Sequence, residues 1–201
     1  MKLFKDRTSA GKLLAGKLKD VKADLVLGIP RGGIVVAAEV AKSLKFPLDI
    51  VVVRKIGAPN QPELALGAID PDGEMVWNEE AVREAGEVGE IIENEWKELK
   101  RREDVYRNGK HPIEVDRKTV ILVDDGMATG ETALAACKYL KRHGAKVILA
   151  LPVASSDALE KMTSEVDKVV VLETPEAFRA VGQFYEEFEP VSDETVVQLL
   201  S

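Results

Sequence analysis

The sequence predicts an α/β protein in which a parallel β-sheet is covered by helices on both faces. Short runs of apolar, mostly β-branched residues recur along the chain, and segments with apolar residues at helical spacing separate them. These runs are apolar throughout instead of alternating with polar residues, which is typical of strands buried on both faces. Strands that alternate with helices favour parallel pairing. At 201 residues, the chain is long enough for one domain with a sizeable core.

Five apolar runs predict the strands of this sheet, and three amphipathic segments predict the helices between them. A strand at residues 24–28 leads into a helix at Gly32–Leu44, and a strand at 48–53 completes the first unit. The remaining strands are expected at 119–123, 146–151 and 168–172, and the remaining helices at about 130–143 and 155–164. In such folds, ligands bind at the carboxyl ends of the strands.

The segment between the second and third of these strands has a different pattern. Residues 57–62 (Gly-Ala-Pro-Asn-Gln-Pro) are rich in turn formers, which predicts an irregular loop. Apolar runs at 64–69 and 74–77 flank Pro-Asp-Gly, which is typical of a β-hairpin. Asn78 is then expected to cap a long charged helix that extends to about Arg107.

The composition argues against several classes of protein. A net charge of −7 and a pI near 5.1 do not suit a protein that grips nucleic acid through its backbone. The single cysteine, Cys137, excludes an internal disulfide, and with two widely spaced histidines it argues against a zinc site. No apolar run is long enough to span a bilayer, and the first residues lack the apolar core of a signal peptide. We expect a cytoplasmic protein that binds neither nucleic acid nor membranes.

The most informative segment is residues 120–132, Val-Ile-Leu-Val-Asp-Asp-Gly-Met-Ala-Thr-Gly-Glu-Thr. A buried strand ends here in two adjacent carboxylates, Asp124 and Asp125, and a loop of small and hydroxylated residues opens a helix. A helix N-terminus has unpaired N–H groups and the positive end of the helix dipole, so it favours a phosphate. Carboxylates are partners for a sugar diol or a hydrated metal ion. Together these features predict a phosphorylated sugar as the ligand.

Other interpretations of this segment are weaker. Two acids at the end of a strand are, when seen alone, sometimes ordinary surface residues. A receiver domain of two-component signalling also has an apolar strand that runs into two acids, but that strand begins the domain, whereas only residues 126–201 follow Asp125. A nucleotide-binding P-loop is excluded because no lysine follows Thr129-Gly130.

Residues 120–132 resemble the signature with which type I phosphoribosyltransferases bind 5-phosphoribosyl pyrophosphate (PRPP). The resemblance implies that Asp124 and Asp125 face the ribose hydroxyls and hold Mg²⁺ indirectly, through those hydroxyls or water. The following loop would wrap the 5-phosphate, with the Glu131 side chain pointing away from it. The residues implied to bind PRPP in this segment are Asp124, Asp125, Gly126, Met127, Ala128, Thr129, Gly130, Glu131 and Thr132.

Two further motifs extend the resemblance. Gly-Ile-Pro-Arg-Gly-Gly at 28–33, which alone would be taken as a tight connection, resembles the family's pyrophosphate loop. Arg31, Gly32 and Gly33 would hold the leaving pyrophosphate there, because glycine lets the backbone approach an anion and arginine binds one bidentately. Arg54 and Lys55, which alone could be two solvated charges, resemble an Arg-Lys pair that binds PRPP, with Lys55 catalytic. A mobile loop at about 56–66 would follow them.

The resemblance also covers the ends of the chain. Residues of about 1–20 and 175–201 would form a small hood over the site, and residues of about 57–110 an insertion. Phe178 would stack on the base, although it could equally be a core residue among neighbouring aromatic residues. Ala128 stands where enzymes for 6-oxopurines have a carboxylate, which disfavours such an acceptor.

The function that the resemblance implies is Mg²⁺-dependent transfer of the phosphoribosyl group from PRPP to a nitrogen nucleophile. The expected acceptor is a nucleobase. The resemblance also implies a homodimer that is active in nucleotide metabolism. The motifs Gly-Ile-Pro-Arg-Gly-Gly and Val-Arg-Lys-Ile-Gly-Ala-Pro resemble those of a branch whose acceptor the resemblance does not supply. A PRPP-sensing regulator on the same fold is the alternative. A hydrolase or phosphorylase of ribosyl phosphates is a third reading, which would not need the pyrophosphate loop.

Overall fold

The computed structural model describes residues 2–59, 61–83 and 85–201. Its helices and strands follow one another along the chain in the order α1 (Arg7–Leu18), β1 (Leu25–Gly28), α2 (Gly32–Leu44), β2 (Leu48–Ile50), β3 (Arg54–Ala58), β4 (Gln61–Ile69), β5 (Met75–Trp77), α3 (Glu79–Arg83), α4 (Gly89–Arg107), β6 (Thr119–Val123), α5 (Glu131–Arg142), β7 (Lys146–Val153), α6 (Ser156–Thr163), β8 (Lys168–Glu173) and α7 (Asp193–Leu199). Among the described residues, no helix is both long and apolar enough to cross a membrane.

A five-stranded parallel sheet forms the centre of the molecule, in the order β2–β1–β6–β7–β8. Its two faces are buried in separate apolar clusters. Val26 and Ile121 face a cluster that includes residues of α1, α2 and α4, whereas Leu27 and Leu122 face a cluster that includes residues of α5 and α6. Side chains on a strand alternate between faces, so an uninterrupted apolar run fits this two-sided burial. The predicted fold class is therefore confirmed.

A second sheet corrects the predicted loop at residues 57–62. Strands β3, β4 and β5 form an antiparallel sheet in which Lys55 pairs with Ala68, and Ile56 is fully buried. The turn-rich segment is therefore mostly strand. Cross-strand hydrogen bonds and the burial of the adjacent Ile56 outweigh the low β-propensity of residues 57–62. The register shifts around Gly57, at the position of a β-bulge. Asn60, within the predicted loop, lies outside the described residues.

The remainder of the insertion is partly as predicted. The hairpin through Pro-Asp-Gly is present between β4 and β5. The prediction of a single helix after Asn78 is wrong, because α3 ends at Arg83 and α4 begins at Gly89. Gly86 has φ +72°, which a continuous helix does not accommodate. Asn78 does accept a hydrogen bond from the Ala81 amide (3.3 Å), so it caps α3. The second parallel strand also ends earlier than predicted, at Ile50, since the chain leaves this sheet to form β3.

The C-terminal helix α7 is attached to the rest of the molecule through Asp193. The Tyr106 hydroxyl donates to one carboxylate oxygen (2.6 Å), and Arg101 donates to the other (2.8 Å). The hydrogen bond from Tyr106 and the neighbouring Arg101 lower the pKa of Asp193 to about 2. These contacts join α7 to α4, the last helix of the insertion.

Asp193→Asn is expected to lower the free energy of unfolding by about 1–2 kcal/mol at neutral pH. A carboxyl whose pKa is lowered in the folded state stabilises that state at pH values above its ordinary pKa of 3.8. That contribution is lost as the pH falls towards about 2. Urea denaturation of both proteins from pH 7 to pH 2 measures it. The difference between them should shrink below about pH 4, and a constant difference would contradict this account.

Candidate active site

The site lies at the carboxyl ends of β1 and β6, which are neighbours in the sheet. Gly28 at the end of β1 is in register with Val123 at the end of β6. The connection from β1 to α2 therefore meets the acid pair that follows β6. Residues about a hundred positions apart in sequence come together here because parallel strands place their carboxyl ends at the same edge.

Gly32 and Gly33 pack directly against the acid pair. A Cβ on Gly32 would lie 1.9 Å from Oδ2 of Asp125. A Cβ on Gly33 would lie 2.7 Å from Oδ1 of Asp124 and 2.9 Å from the Val123 carbonyl oxygen. None of these three distances is compatible with a Cβ atom, so glycine is needed at both positions for this close approach. The preceding peptide bond, Pro30–Arg31, is cis.

Residues from the N-terminal and C-terminal parts of the chain form hydrogen bonds with Asp125. Arg7 Nε, on the first turn of α1, donates to Oδ2 of Asp125 at 2.7 Å, and both side chains are largely buried (11% and 14% exposed). The Tyr185 hydroxyl donates to the Asp125 backbone carbonyl at 2.6 Å. Asp124 Oδ1 accepts from the Asp125 amide at 2.8 Å. The acid pair is therefore fixed in orientation before any ligand binds.

Burial disfavours the ionised form of both carboxylates. Burial raises the pKa of Asp124 well above its usual value, and the adjacent charge of Asp125 raises that pKa further. Burial also raises the pKa of Asp125, although the Arg7 guanidinium opposes this rise. Hydroxyl donors or a cation would stabilise such a pair by hydrogen bonding or by charge.

The loop after the acid pair leads into the N-terminus of α5 and is attached to the neighbouring strand. Gly126 sits against Val153 and Val181, where a Cβ would approach a Val181 methyl group to 2.5 Å. Met127 forms an isolated bridge with Ala154, and the Ser155 hydroxyl donates to the Ala128 carbonyl at 2.6 Å.

The helix itself starts at Glu131, after Gly130 in a left-handed conformation with φ +94°. No side chain of the described residues caps α5 at Gly130, so the first amides of this helix remain available to an anion. Thr129 is exposed and Thr132 half-buried within this loop and first turn. Glu131 is buried, and it lines a cavity of about 420 Å³ together with Trp77 and Lys161.

The charged residues of the other two motifs lie in different surroundings. Arg31, whose side chain is 40% exposed, reaches Asp193 only at 3.5 Å, the limit of a hydrogen bond. Arg54 forms a hydrogen-bonded ion pair with Glu95 of α4 (Nε–Oε2 2.6 Å), so the structure does not join it to the acid pair. Lys55 pairs with Ala68 of β4. It lines a cavity of about 450 Å³ together with Arg54 and with Glu95 of α4.

The aromatic residues of the C-terminal segment form a cluster with the N-terminus. Phe4 is bridged to Tyr185, and their rings are 5.3 Å apart. Phe178 is half-buried with its ring 4.8 Å from that of Phe184, so it packs at the edge of this cluster with part of its surface exposed.

Sequence reasoning missed the direct contacts of Arg7 and Tyr185 with Asp125. They lie 118 and 60 positions from it, and no local pattern marks such partners.

The donor set of the site suits Mg²⁺ held through a ligand. Carboxylate oxygens are the ligands that Mg²⁺ prefers, and it is usually bound by one or two carboxylates together with substrate phosphates and water. Asp124 and Asp125 supply two such groups. Among the described residues, no group of three or more potential side-chain ligands exists, so a closed protein cage for a metal is absent from that part of the chain.

Comparisons with known proteins show the family. The model of the phosphoribosyl transferase domain matches residues 7–189. A protein of Mycobacterium tuberculosis (strain CDC 1551 / Oshkosh), named provisionally as a phosphoribosyl transferase, is 47% identical over 207 residues that cover 100% of this chain and 47% of that protein. The chain thus spans about half the length of the curated relatives it matches. The chain belongs to the phosphoribosyl transferase domain family.

The chain is also similar to two further proteins. The crystal structure of TT1426 from Thermus thermophilus is similar with a TM-score of 0.81 and 41% sequence identity, and the match covers 100% of this chain and 98% of that one. A ribose-phosphate pyrophosphokinase of Marinomonas sp. (strain MWYL1) is 46% identical over 65 residues, which cover 30% of this chain and 21% of that protein.

Gly33→Ala is expected to lower the free energy of unfolding by about 1–3 kcal/mol, because its Cβ would collide with backbone atoms at the end of β6. Gly16→Ala is the matched control. It lies in α1, where a Cβ would meet nothing within 4 Å, and it should raise stability by about 0.5–1 kcal/mol. Urea denaturation compares the two variants. Equal stability of Gly33→Ala and the unmodified protein would contradict the close packing described above.

Proposed function

We propose that this chain is a Mg²⁺-dependent phosphoribosyltransferase, which transfers the phosphoribosyl group of PRPP to a nitrogen nucleophile and releases pyrophosphate. The observation that carries the proposal is the contact between the acid pair and the glycine turn at Gly32 and Gly33. This contact lies beside the N-terminus of α5, which no described side chain caps. This arrangement offers groups for a sugar diol, a pyrophosphate and a terminal phosphate within one site. Membership of the family supports the same activity.

Each part of PRPP has a proposed partner. Asp124 and Asp125 would bind the ribose hydroxyls, and the segment from Gly126 to Thr132 would bind the 5-phosphate, mainly through backbone amides. Arg31 and the amides of Gly32 and Gly33 would bind the pyrophosphate. Arg31 is suited to this because its contact with Asp193 is long and more than a third of its side chain is exposed. Lys55 would assist, whereas Arg54 would first have to leave Glu95.

The proposed reaction is displacement of pyrophosphate from C1 of the ribose by a nitrogen nucleophile, with inversion at C1. The sugar ring acquires positive charge as the leaving group departs. Asp124 and Asp125 would fix the ring and place negative charge beside it, while Arg31 and Lys55 would stabilise the charge on the pyrophosphate. When bound, Mg²⁺ would neutralise part of that charge. The role of the chain is therefore positioning and electrostatic stabilisation.

We propose a nucleobase as the acceptor. Phe178 is partly exposed at the edge of the aromatic cluster and could offer one face to a base. Ala128 carries no carboxylate for the ring nitrogen of a 6-oxopurine, so another acceptor is favoured. We further propose that residues of about 1–20 and 175–201 act as the hood, that those of about 57–110 form an insertion, and that the working unit is a cytoplasmic homodimer.

The second candidate is a PRPP-binding sensor. One observation favours it: the ion pair between Arg54 and Glu95 withdraws one of the cations proposed for substrate binding. A sensor would keep the acid pair and the segment from Gly126 to Thr132, here called the phosphate loop, without transferring the sugar.

The decisive experiment measures pyrophosphate release from PRPP and Mg²⁺ across a panel of purines, pyrimidines and small amines. Release with one acceptor would establish transfer and identify that acceptor. No release across the panel, together with a rise in melting temperature on adding PRPP, would favour the sensor. Absence of both effects would reject both candidates.

Asp125→Asn is expected to reduce pyrophosphate release by about 10²–10³-fold while the protein remains folded, because it removes negative charge beside the developing positive charge. Folding is checked by circular dichroism. Asp157→Asn, which changes an exposed acid in the first turn of α6, is the matched control and should keep full activity. Near-normal turnover of Asp125→Asn would contradict the proposed mechanism.

A further inference from the structure

Arg7 is the cation that lies closest to the acid pair, and no motif points to it. Its Nε donates to Asp125 at 2.7 Å, and its Nη1 donates to the Glu189 carbonyl at 2.8 Å. The guanidinium carbon lies 3.8 Å from the centroid of the Phe188 ring, so the group is stacked on the hood. Three contacts fix the plane and the direction of this side chain.

One edge of the guanidinium faces the site, and only one of its two nitrogens donates a hydrogen bond to a described residue. Nε and Nη2 lie on the same edge of an arginine, the edge that usually binds an anion bidentately. Here Nε binds Asp125, whereas Nη2 donates to no residue that the structure describes. A Cβ on Gly32 would lie 3.0 Å from Nε, so this edge also borders the glycine turn proposed for pyrophosphate. The edge that carries Nε and Nη2 thus borders both the acid pair and that turn.

On the basis of the proposed function, we propose that Arg7 is a further substrate-binding residue, in which Nε orients Asp125 and Nη2 binds an oxygen of the pyrophosphate group. A fixed guanidinium suits this double role because it contacts a carboxylate and a phosphate in one plane. Its charge would add to that of Arg31 in offsetting the charge of the pyrophosphate. The hood would then contribute to PRPP binding itself, in addition to any contact with the acceptor.

The test compares the affinities of two probes, PRPP and ribose 5-phosphate, at a constant Mg²⁺ concentration by isothermal titration calorimetry. The proteins are the unmodified chain, Arg7→Gln, Arg7→Lys and Lys12→Gln. The last variant removes an exposed charge from the same helix and is the matched control. Ribose 5-phosphate lacks the pyrophosphate, so it reports only on effects that act through Asp125 or the phosphate loop.

Arg7→Gln is expected to weaken PRPP binding by about 10–100-fold, and ribose 5-phosphate binding by at least about tenfold less. Arg7→Lys should show the same selectivity with a smaller loss, because lysine keeps the charge without the planar fork. If Arg7→Gln does not fold, the comparison of the two probes is made with Arg7→Lys. Lys12→Gln should bind both probes normally.

Other results would overturn the inference. Equal losses for both probes would mean that Arg7 acts only through Asp125, and unchanged affinities would mean that it only tethers the hood. In both cases, PRPP binding by the unmodified chain would leave the proposed function standing. If the unmodified chain bound no PRPP, the proposed function would fail and this inference with it.

Discussion

The contact between the Gly32–Gly33 backbone and the Asp124–Asp125 pair is the constraint on which the site depends. Two connections that follow adjacent parallel strands come within van der Waals distance, because no side chain separates them. The sheet register sets this distance, and glycine permits it. An amide-rich turn and a pair of carboxylates therefore line the same edge of the sheet.

Burying two adjacent carboxylates carries an electrostatic cost, and the ends of the chain offset part of it. Arg7 supplies charge to Asp125, and Tyr185 binds its backbone. Both come from the segments that pair through Phe4 and Tyr185. Because an unpaired buried charge is strongly destabilising, docking of these segments and ionisation of the acid pair depend on each other.

The insertion is connected to the site through a small number of polar contacts. Asp193 of α7 accepts hydrogen bonds from Tyr106 and Arg101 of α4, and it also lies within reach of Arg31. Arg54 of β3 is bound to Glu95 of the same helix. Arg31 and Arg54 thus both have partners that belong to α4 or are hydrogen-bonded to it.

The sequence by itself determined the central sheet, the helices on its faces and the acid pair at the end of a strand, because burial and helix starts leave local patterns. The close approach of the glycine turn became visible only in the sheet register. The sequence misled at residues 57–62 and after Asn78, where pairing across β3 and β4 and the conformation of Gly86 override local propensity. It placed Arg7 only in a general hood. The tertiary structure alone decided which carboxylate Arg7 contacts, because that ion pair joins residues 118 positions apart and leaves no periodic signal in the chain.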